Sequence, residues 1–306
     1  MFTSYEKYYF ALKEIPPPGT GCHPFLLKVA NLGRIAFIRR DQVEKDLLKY
    51  IPAGDRVVEL REVQDACAKA FSIAPHVRVP QVQFDPVLLE KMLAKGAGVT
   101  EADIRSKSPC PIPVDPREQT ALVLEHLFSP TDYVFMGPLR GWIVRQVKDW
   151  LVSVQTGRHE MDFIAPNPMT GELAKCTCGK ESWRCDASVK DFRFAVVEFD
   201  TLTKEQQYGF WVTVDLPVVA LIDSGNKSIH GWIRVDCKSL EGWDEKVKQK
   251  LFDENLSPLG VDSSCRNPSR LSRTPGVYRK DKGAWQKLLY FAGKEGRRVV
   301  PCIGVK

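Results

Sequence analysis

Glu198, Asp200, Ser228, His230 and Asp262 are the residues of this 306-residue chain whose types and spacing point most directly to chemistry. Glu198 and Asp200 alternate with Val197 and Phe199 in FAVVEFD. On a strand, residues two apart face the same way, so both carboxylates would share one face. Ser228 and His230 share a face by the same rule, just before Trp232 and Ile233 resume an apolar run. Asp262 stands between a hydrophobic lead-in and the basic loop SSCRNPSRLSRTPG. Three carboxylates suit hard divalent cations, which take carboxylate and phosphate oxygens with few protein ligands. Two such ions roughly 4 Å apart stabilise both the attacking and the leaving oxygen in polymerases and nucleases. Glu198, Asp200 and Asp262 would flank Mg²⁺ or Mn²⁺. Lys227, Arg270 and Arg273 would offset the remaining polyphosphate charge, and His230 would donate to a phosphate oxygen.

Taken singly, these signals are weak. An E-x-D on a strand is more often a solvated face than a metal site, and S-x-H alone says less. The ordered set is harder to obtain by chance.

The set resembles the three motifs of the archaeo-eukaryotic primase (primase-polymerase) superfamily: a carboxylate pair on a strand, then S-x-H, then a hydrophobic residue followed by Asp. The surrounding DSGNKSIHGW and NPSRLSRTPG resemble primases of phages and mobile elements. The resemblance spans residues 167–276. It departs at Glu198, where many members carry Asp; the longer side chain is still a metal ligand. It implies an α+β fold with an RRM-like catalytic sheet, helices on one face and the carboxylates on the open face. It further implies a DNA primase or polymerase that joins NTPs or dNTPs on single-stranded DNA with two Mg²⁺ or Mn²⁺ ions. Glu198, Asp200 and Asp262 would be catalytic metal ligands, and Lys227, Ser228, His230, Arg270 and Arg273 would hold the nucleotide. A separate replicative helicase is the expected partner, since no G-x-x-x-x-G-K-[ST] motif occurs here. One alternative is a catalytically silent, nucleic-acid-binding replication protein of the same descent. Another is a metal-dependent nuclease or nucleotidyltransferase of different fold.

The remainder of the chain must position these residues. Its length allows two domains. Hydrophobic content of 43% with 27% charged residues is ordinary for a globular protein. No apolar run is long enough for a membrane span, the N-terminus lacks a signal pattern, and nine cysteines at irregular spacing suit a reducing compartment. A cytoplasmic location is expected. The net charge of +6 is concentrated after Gly260, where eleven Lys and Arg face three Asp and Glu. Such a basic segment is the electrostatic footprint of nucleic-acid or nucleotide binding, although a solubilising face looks the same.

Residues 1–75 read as a small all-helical N-terminal domain. The spacing predicts helices over 24–32, stopped by Gly33, over 41–51 with Asp41 as cap, and along the apolar stripe from Val63 to Phe71. This part resembles the primase C-terminal module, here placed at the N-terminus; a bland three-helix packing domain explains it equally. Residues 76–130 read as a proline-rich linker with border helices, one over 85–95 and one capped by Thr100 with Asp103. Residues 131–306 read as the catalytic domain. Cys176, Cys178 and Cys185, with His159 upstream, could bind zinc, but C-x-C-x6-C lacks the paired C-x2-C signature, so free thiols are the favoured reading. Asn167 and Arg184 in the same loop are expected to shape the nucleotide pocket. Trp285, Tyr290 and Phe291 are expected in the core rather than stacked on bases.

Overall fold

A computed structural model describes residues 4–19, 22–36, 38–72, 84–139, 143–157, 161–177 and 179–299. The chain divides into two compact units, residues 1–79 and 80–306.

In the first unit four helices pack together: α1 (Ser4–Lys13), α2 (Cys22–Ile35), α3 (Arg40–Tyr50) and α4 (Leu60–Phe71). Apolar positions at helical spacing meet in a core of Tyr8, Leu12, Leu26, Val29, Val43, Leu47, Val63 and Cys67. The buried Tyr8 hydroxyl donates to Asp46 Oδ2 at 2.9 Å, so the polar end of the ring is satisfied. Two expectations are corrected. Gly33 does not stop α2, which continues to Ile35; it is small because a Cβ there would lie 2.6 Å from Val43 Cγ2 and 2.9 Å from Tyr8. Arg39, not Asp41, occupies the N-cap of α3, and Asp41 sits in the first turn, bonded to Arg39.

The second unit begins with α5 (Pro86–Lys95), capped by Asp85, and α6 (Glu101–Ser106), closed by the reciprocal Thr100–Asp103 box. Then follow α7 (Gln119–Leu127), β1 (Tyr133–Gly137), β2 (Val144–Gln146), α8 (Val147–Gln155), β3 (Phe163–Ile164) and a small hairpin of β4 (Ala174–Lys175) and β5 (Glu181–Ser182). The main strands are β6 (Phe192–Val197), β7 (Val218–Asp223) and β8 (Ile229–Cys237), with α9 (Lys204–Thr213) between the first two. After β8, α10 (Leu240–Trp243) runs into a π-helix over Asp244–Leu256. The chain closes with β9 (Ser272–Arg273), β10 (Tyr278–Arg279), β11 (Ala284–Trp285) and β12 (Lys287–Phe291).

The main sheet is antiparallel in the order β12-β7-β8-β6, and a second sheet runs β2-β1-β3-β9. The β6-α9-β7 unit is split by β8, which pairs with both strands. The first strand, β6, lies at the edge of the main sheet, where the Asn167 amide takes the Phe194 N–H at 2.8 Å and donates to its carbonyl at 2.9 Å.

Alternation along the strands sends Ala195, Val197, Leu221 and Ile233 into a core with α9 and the π-helix. It sends Phe194, Val196, Ile222 and Trp232 into a second core with α7, α8, β1 and β3. Both faces of the sheet are therefore covered. This corrects the expectation of helices on one face and an open catalytic face. Helices α7 and α8 bring Val123, Leu124, Leu127, Val147 and Trp150 onto the face that was expected to be open. Tyr290 and Phe291 are core residues, as their spacing predicts, but Trp285 is not: it is half-buried in the β10–β11 hairpin, edge-on to Tyr278. Among the described residues no helix is long and apolar enough to cross a membrane.

Candidate active site

Strand β6 ends at Val197, so Glu198 is the first residue beyond the sheet. The alternation persists for two more positions: Phe199 enters the α9 core against Phe210, and Glu198 turns the other way. By Asp200 the chain has bent away and the side chain is exposed. The two carboxylates thus do not meet as a strand pair. Asp200 has no ion pair with a described residue and stands outside the group that brings Glu198 close to Asp262.

A backbone bond from Asp262 N–H to the Glu198 carbonyl, 3.0 Å, ties the loop after the π-helix to the end of β6. Asp262 caps a short 3-10 turn, Ser263–Arg266, accepting the Ser264 N–H at 2.9 Å. The turn brings the Cys265 thiol back to 3.4 Å from Glu198 Oε1 and 3.7 Å from Asp262 Oδ2. Ligand atoms of Glu198, Asp262 and Cys265 all lie within 4.8 Å of one another. Two carboxylate oxygens fit a hard divalent cation, and the sulfur would add a soft donor only once deprotonated. Arg270 Nη2 bonds to Glu198 Oε1 and lies 3.2 Å from Asp262 Oδ2, so a bound cation competes with this guanidinium for the same oxygens.

On β8, His230 faces Glu198 with Nε2 2.9 Å from Oε2. Its other nitrogen, Nδ1, accepts the Arg273 N–H at 3.4 Å and lies 3.3 Å from Ser272 Oγ. That arrangement leaves Nε2 as the protonated nitrogen. Ser272 is in turn fixed by the buried Trp232 N–H at 2.7 Å, and Ser228 Oγ sits 3.3 Å from His230 Nε2. Burial pushes the Glu198 carboxyl up, but His230 and Arg270 outweigh it and hold the group well below the usual carboxylate range. Burial likewise pushes the Cys265 thiol up, and the Glu198 charge adds to that. Cys265 is therefore a protonated thiol at neutral pH.

These residues open onto a cleft of ≈ 430 Å³. Glu198, Ser228, His230, Arg270 and Arg273 line it, together with Arg184 and Arg279. Its lining holds four arginines against one carboxylate. Lys227 and Asp200 are both exposed and neither lines the cleft; the Lys227 carbonyl instead accepts from Gln207 Nε2 at 3.0 Å. Asn167, expected in the pocket wall, is a buried clamp on β6, donating also to the Pro268 carbonyl at 2.9 Å. Arg279 and Cys265 were not singled out in the sequence. Cys265 had a signal, lying one helical turn after Asp262; Arg279 had none beyond the basic character of its segment.

Cys178 and His159 lie outside the described residues. Of the other two cysteines in that loop, Cys185 Sγ lies 3.7 Å from the Ala174 carbonyl and Cys176 precedes the turn of the β4–β5 hairpin.

No protein-family model and no curated protein matches the chain. Among solved structures, the chain is similar to the archaeo-eukaryotic primase domain of the cyanophage S-2L primase-polymerase. The identity is 18% and the TM-score 0.41, over 62% of this chain and 96% of that one.

Proposed function

We propose that this chain is a DNA primase-polymerase, a nucleotidyltransferase that makes or extends primers on single-stranded DNA from NTPs or dNTPs. The observation that carries this reading is the convergence of Glu198, Ser228 and His230 on one cleft, with Asp262 grouped beside Glu198, residues far apart in sequence that match the superfamily motifs in order. Divalent cations held by Glu198 and Asp262, with the exposed Asp200 swinging in as a third carboxylate, would neutralise phosphate charge and activate the attacking hydroxyl. The chain's own groups do the rest. Arg273 and the neighbouring arginines take the polyphosphate, Ser228 and the His230 N–H approach a phosphate oxygen, and Ser272 with the Arg273 backbone fixes the imidazole. Catalysis of this kind is mainly positioning and charge stabilisation. The helical first unit is read as a primase C-terminal-type module, and a separate helicase in the same reducing compartment as the partner.

One observation favours the catalytically silent alternative: Arg270 already neutralises Glu198 and Asp262. Labelled nucleotides, single-stranded DNA and Mn²⁺ separate the readings, since a primase-polymerase elongates, a nuclease degrades and a silent binding protein does neither.

A further inference from the structure

Tyr278 and Trp285 stand directly opposite each other on β10 and β11, with ring centroids 5.2 Å apart at 64°. Tyr278 is 44% exposed, Trp285 is half-buried, and neither ring enters a hydrophobic core. An edge-to-face contact covers only one ring face, so the pair leaves flat apolar surface for a further ring. The turn between the two strands exposes Lys280, Asp281 and Lys282. Asp281 is engaged mainly by Arg279, at 2.8 Å, with Lys282 at 3.9 Å, and Lys280 has no ion pair among the described residues. The segment after Gly260, to which the hairpin belongs, carries eleven Lys and Arg against three Asp and Glu, so an anionic occupant is favoured over a neutral one. Aromatic faces beside ammonium groups are how proteins hold single strands: bases stack on the rings and phosphates follow the charge.

The hairpin is anchored beside the cleft. At its base the Gly276 N–H donates to the Gln286 carbonyl at 2.7 Å, and the Gln286 N–H to the Val277 carbonyl at 2.8 Å. Arg279 Nη1 donates to the Ser224 carbonyl at 3.3 Å, and Gly225 passes so near that a Cβ would lie 3.1 Å from the Trp285 carbonyl. Ser224 and Arg279 both line the cleft. Neighbouring residues of a strand face opposite ways, so Arg279 points into the cleft while Tyr278 and Trp285 point away from it. The aromatic pair thus forms the outer face of a cleft wall, apart from the residues around Glu198.

We propose that Tyr278, supported by Trp285, is a stacking platform for an unpaired base of single-stranded DNA, with Lys280 and Lys282 on the adjoining phosphates. The choice of strand rests on the nucleotidyl-transfer reading above. The platform holds template outside the reacting position, where it crosses the rim of the cleft. Its test measures binding without turnover, so the two readings fail separately.

Anisotropy titrations of the full-length protein in EDTA compare labelled oligothymidylate with an abasic strand of the same length and charge. The wild type should bind oligothymidylate roughly 5- to 150-fold tighter, the contribution of a stacked base. Tyr278→Leu should remove most of that preference and leave abasic binding unchanged, while Tyr278→Phe should keep it. Should Tyr278→Leu melt early, Tyr278→Thr serves, a β-branched residue suited to a strand. Lys280→Gln should weaken both strands alike and lessen the salt slope by about 0.7. Duplex DNA of the same length, whose bases already stack on one another, should bind without regard to Tyr278. Equal wild-type affinity for the two single strands, an undiminished preference in a folded Tyr278→Leu protein, or the same Tyr278 dependence with duplex would overturn the platform even if the protein polymerises. A Tyr278-dependent preference in a protein without polymerase activity would support the platform and sink the nucleotidyl-transfer reading instead.

Discussion

His230 Nε2 lies 2.9 Å from Glu198 Oε2, with the two side chains only 7% and 11% exposed. A strand and the end of its edge neighbour are thereby joined through one charged contact inside the cleft. Arg270 holds the other oxygen of the same carboxylate. Glu198 is thus both a candidate metal ligand and a structural counter-ion.

A pH dependence follows. Because the folded-state pKa of Glu198 is depressed, its contribution to stability is present above the unfolded carboxylate value, about 4.3. It is lost as pH falls from there through the folded value. Glu198→Gln should lower stability by about 2 kcal/mol or more at pH 7, because a buried charge network loses its centre. The variant should also flatten the decline below pH 4. Urea unfolding at pH 7 and pH 3.5 measures both; parallel curves for the two proteins would show that the carboxylate contributes no pH-linked stability.

Asp262 and Asp200 should separate in a similar comparison. Asp262→Asn disturbs the bonds to Arg270 and the capped turn, so it should lower both nucleotide incorporation and stability. Asp200 is exposed and unpaired with described residues, so Asp200→Asn should leave the melting temperature unchanged. Incorporation should nevertheless fall on the order of 100-fold, as for other losses of charge stabilisation at a reacting centre. Unchanged incorporation in a folded Asp200→Asn protein would remove Asp200 from the metal site.

The motif residues were legible because each is marked by its own neighbours: alternation around Ser228 and His230, and a hydrophobic lead-in before Asp262. Helix α6 was legible through its Thr100–Asp103 box, and α5 lies within the helix read over 85–95. What joins distant segments was not. Nothing near Val197 shows that the strand ends there, so Asp200 was placed on a face it leaves. Nothing in α7 or α8 shows that their apolar stripes cover the second face of the main sheet. Arg279 enters the cleft through tertiary packing alone, whereas Arg184 lines it as its loop was expected to.

Gly231 illustrates the same limit and gives a stability prediction. Its neighbours in S-I-H-G-W do not show what faces it within β8, where a Cβ would run into the Trp211 indole. Gly231→Ala should cost about 3 kcal/mol through overpacking. Paired with Trp211→Phe it should recover part of that loss. A Gly231→Ala protein as stable as wild type in urea would show that the indole has room to move.

For nucleotide contacts, His230→Ala and Arg273→Ala should weaken triphosphate binding roughly 10- to 150-fold, the range for a charge-assisted hydrogen bond. Template binding should change less. Fluorescence titrations with a labelled nucleotide and a labelled oligonucleotide decide it, and equal losses would place both residues in the template groove.

Removal of residues 1–79 tests the helical unit, which has its own core. In this unit Arg39 and Arg40 are engaged with Asp41 and Glu44, while Lys28 lies over the Phe25 ring. The shortened chain should still extend an annealed primer but lose de novo synthesis. Starting chains at the full-length rate would confine the unit to packing or partner docking.

The central claim is tested most directly by primer extension on homopolymer templates with Mn²⁺, wild type beside Asp262→Asn. The wild type should add the complementary nucleotide and not the others, with addition lost in the variant. Addition that ignores the template base, degradation of the primer, or no reaction from folded protein would contradict it.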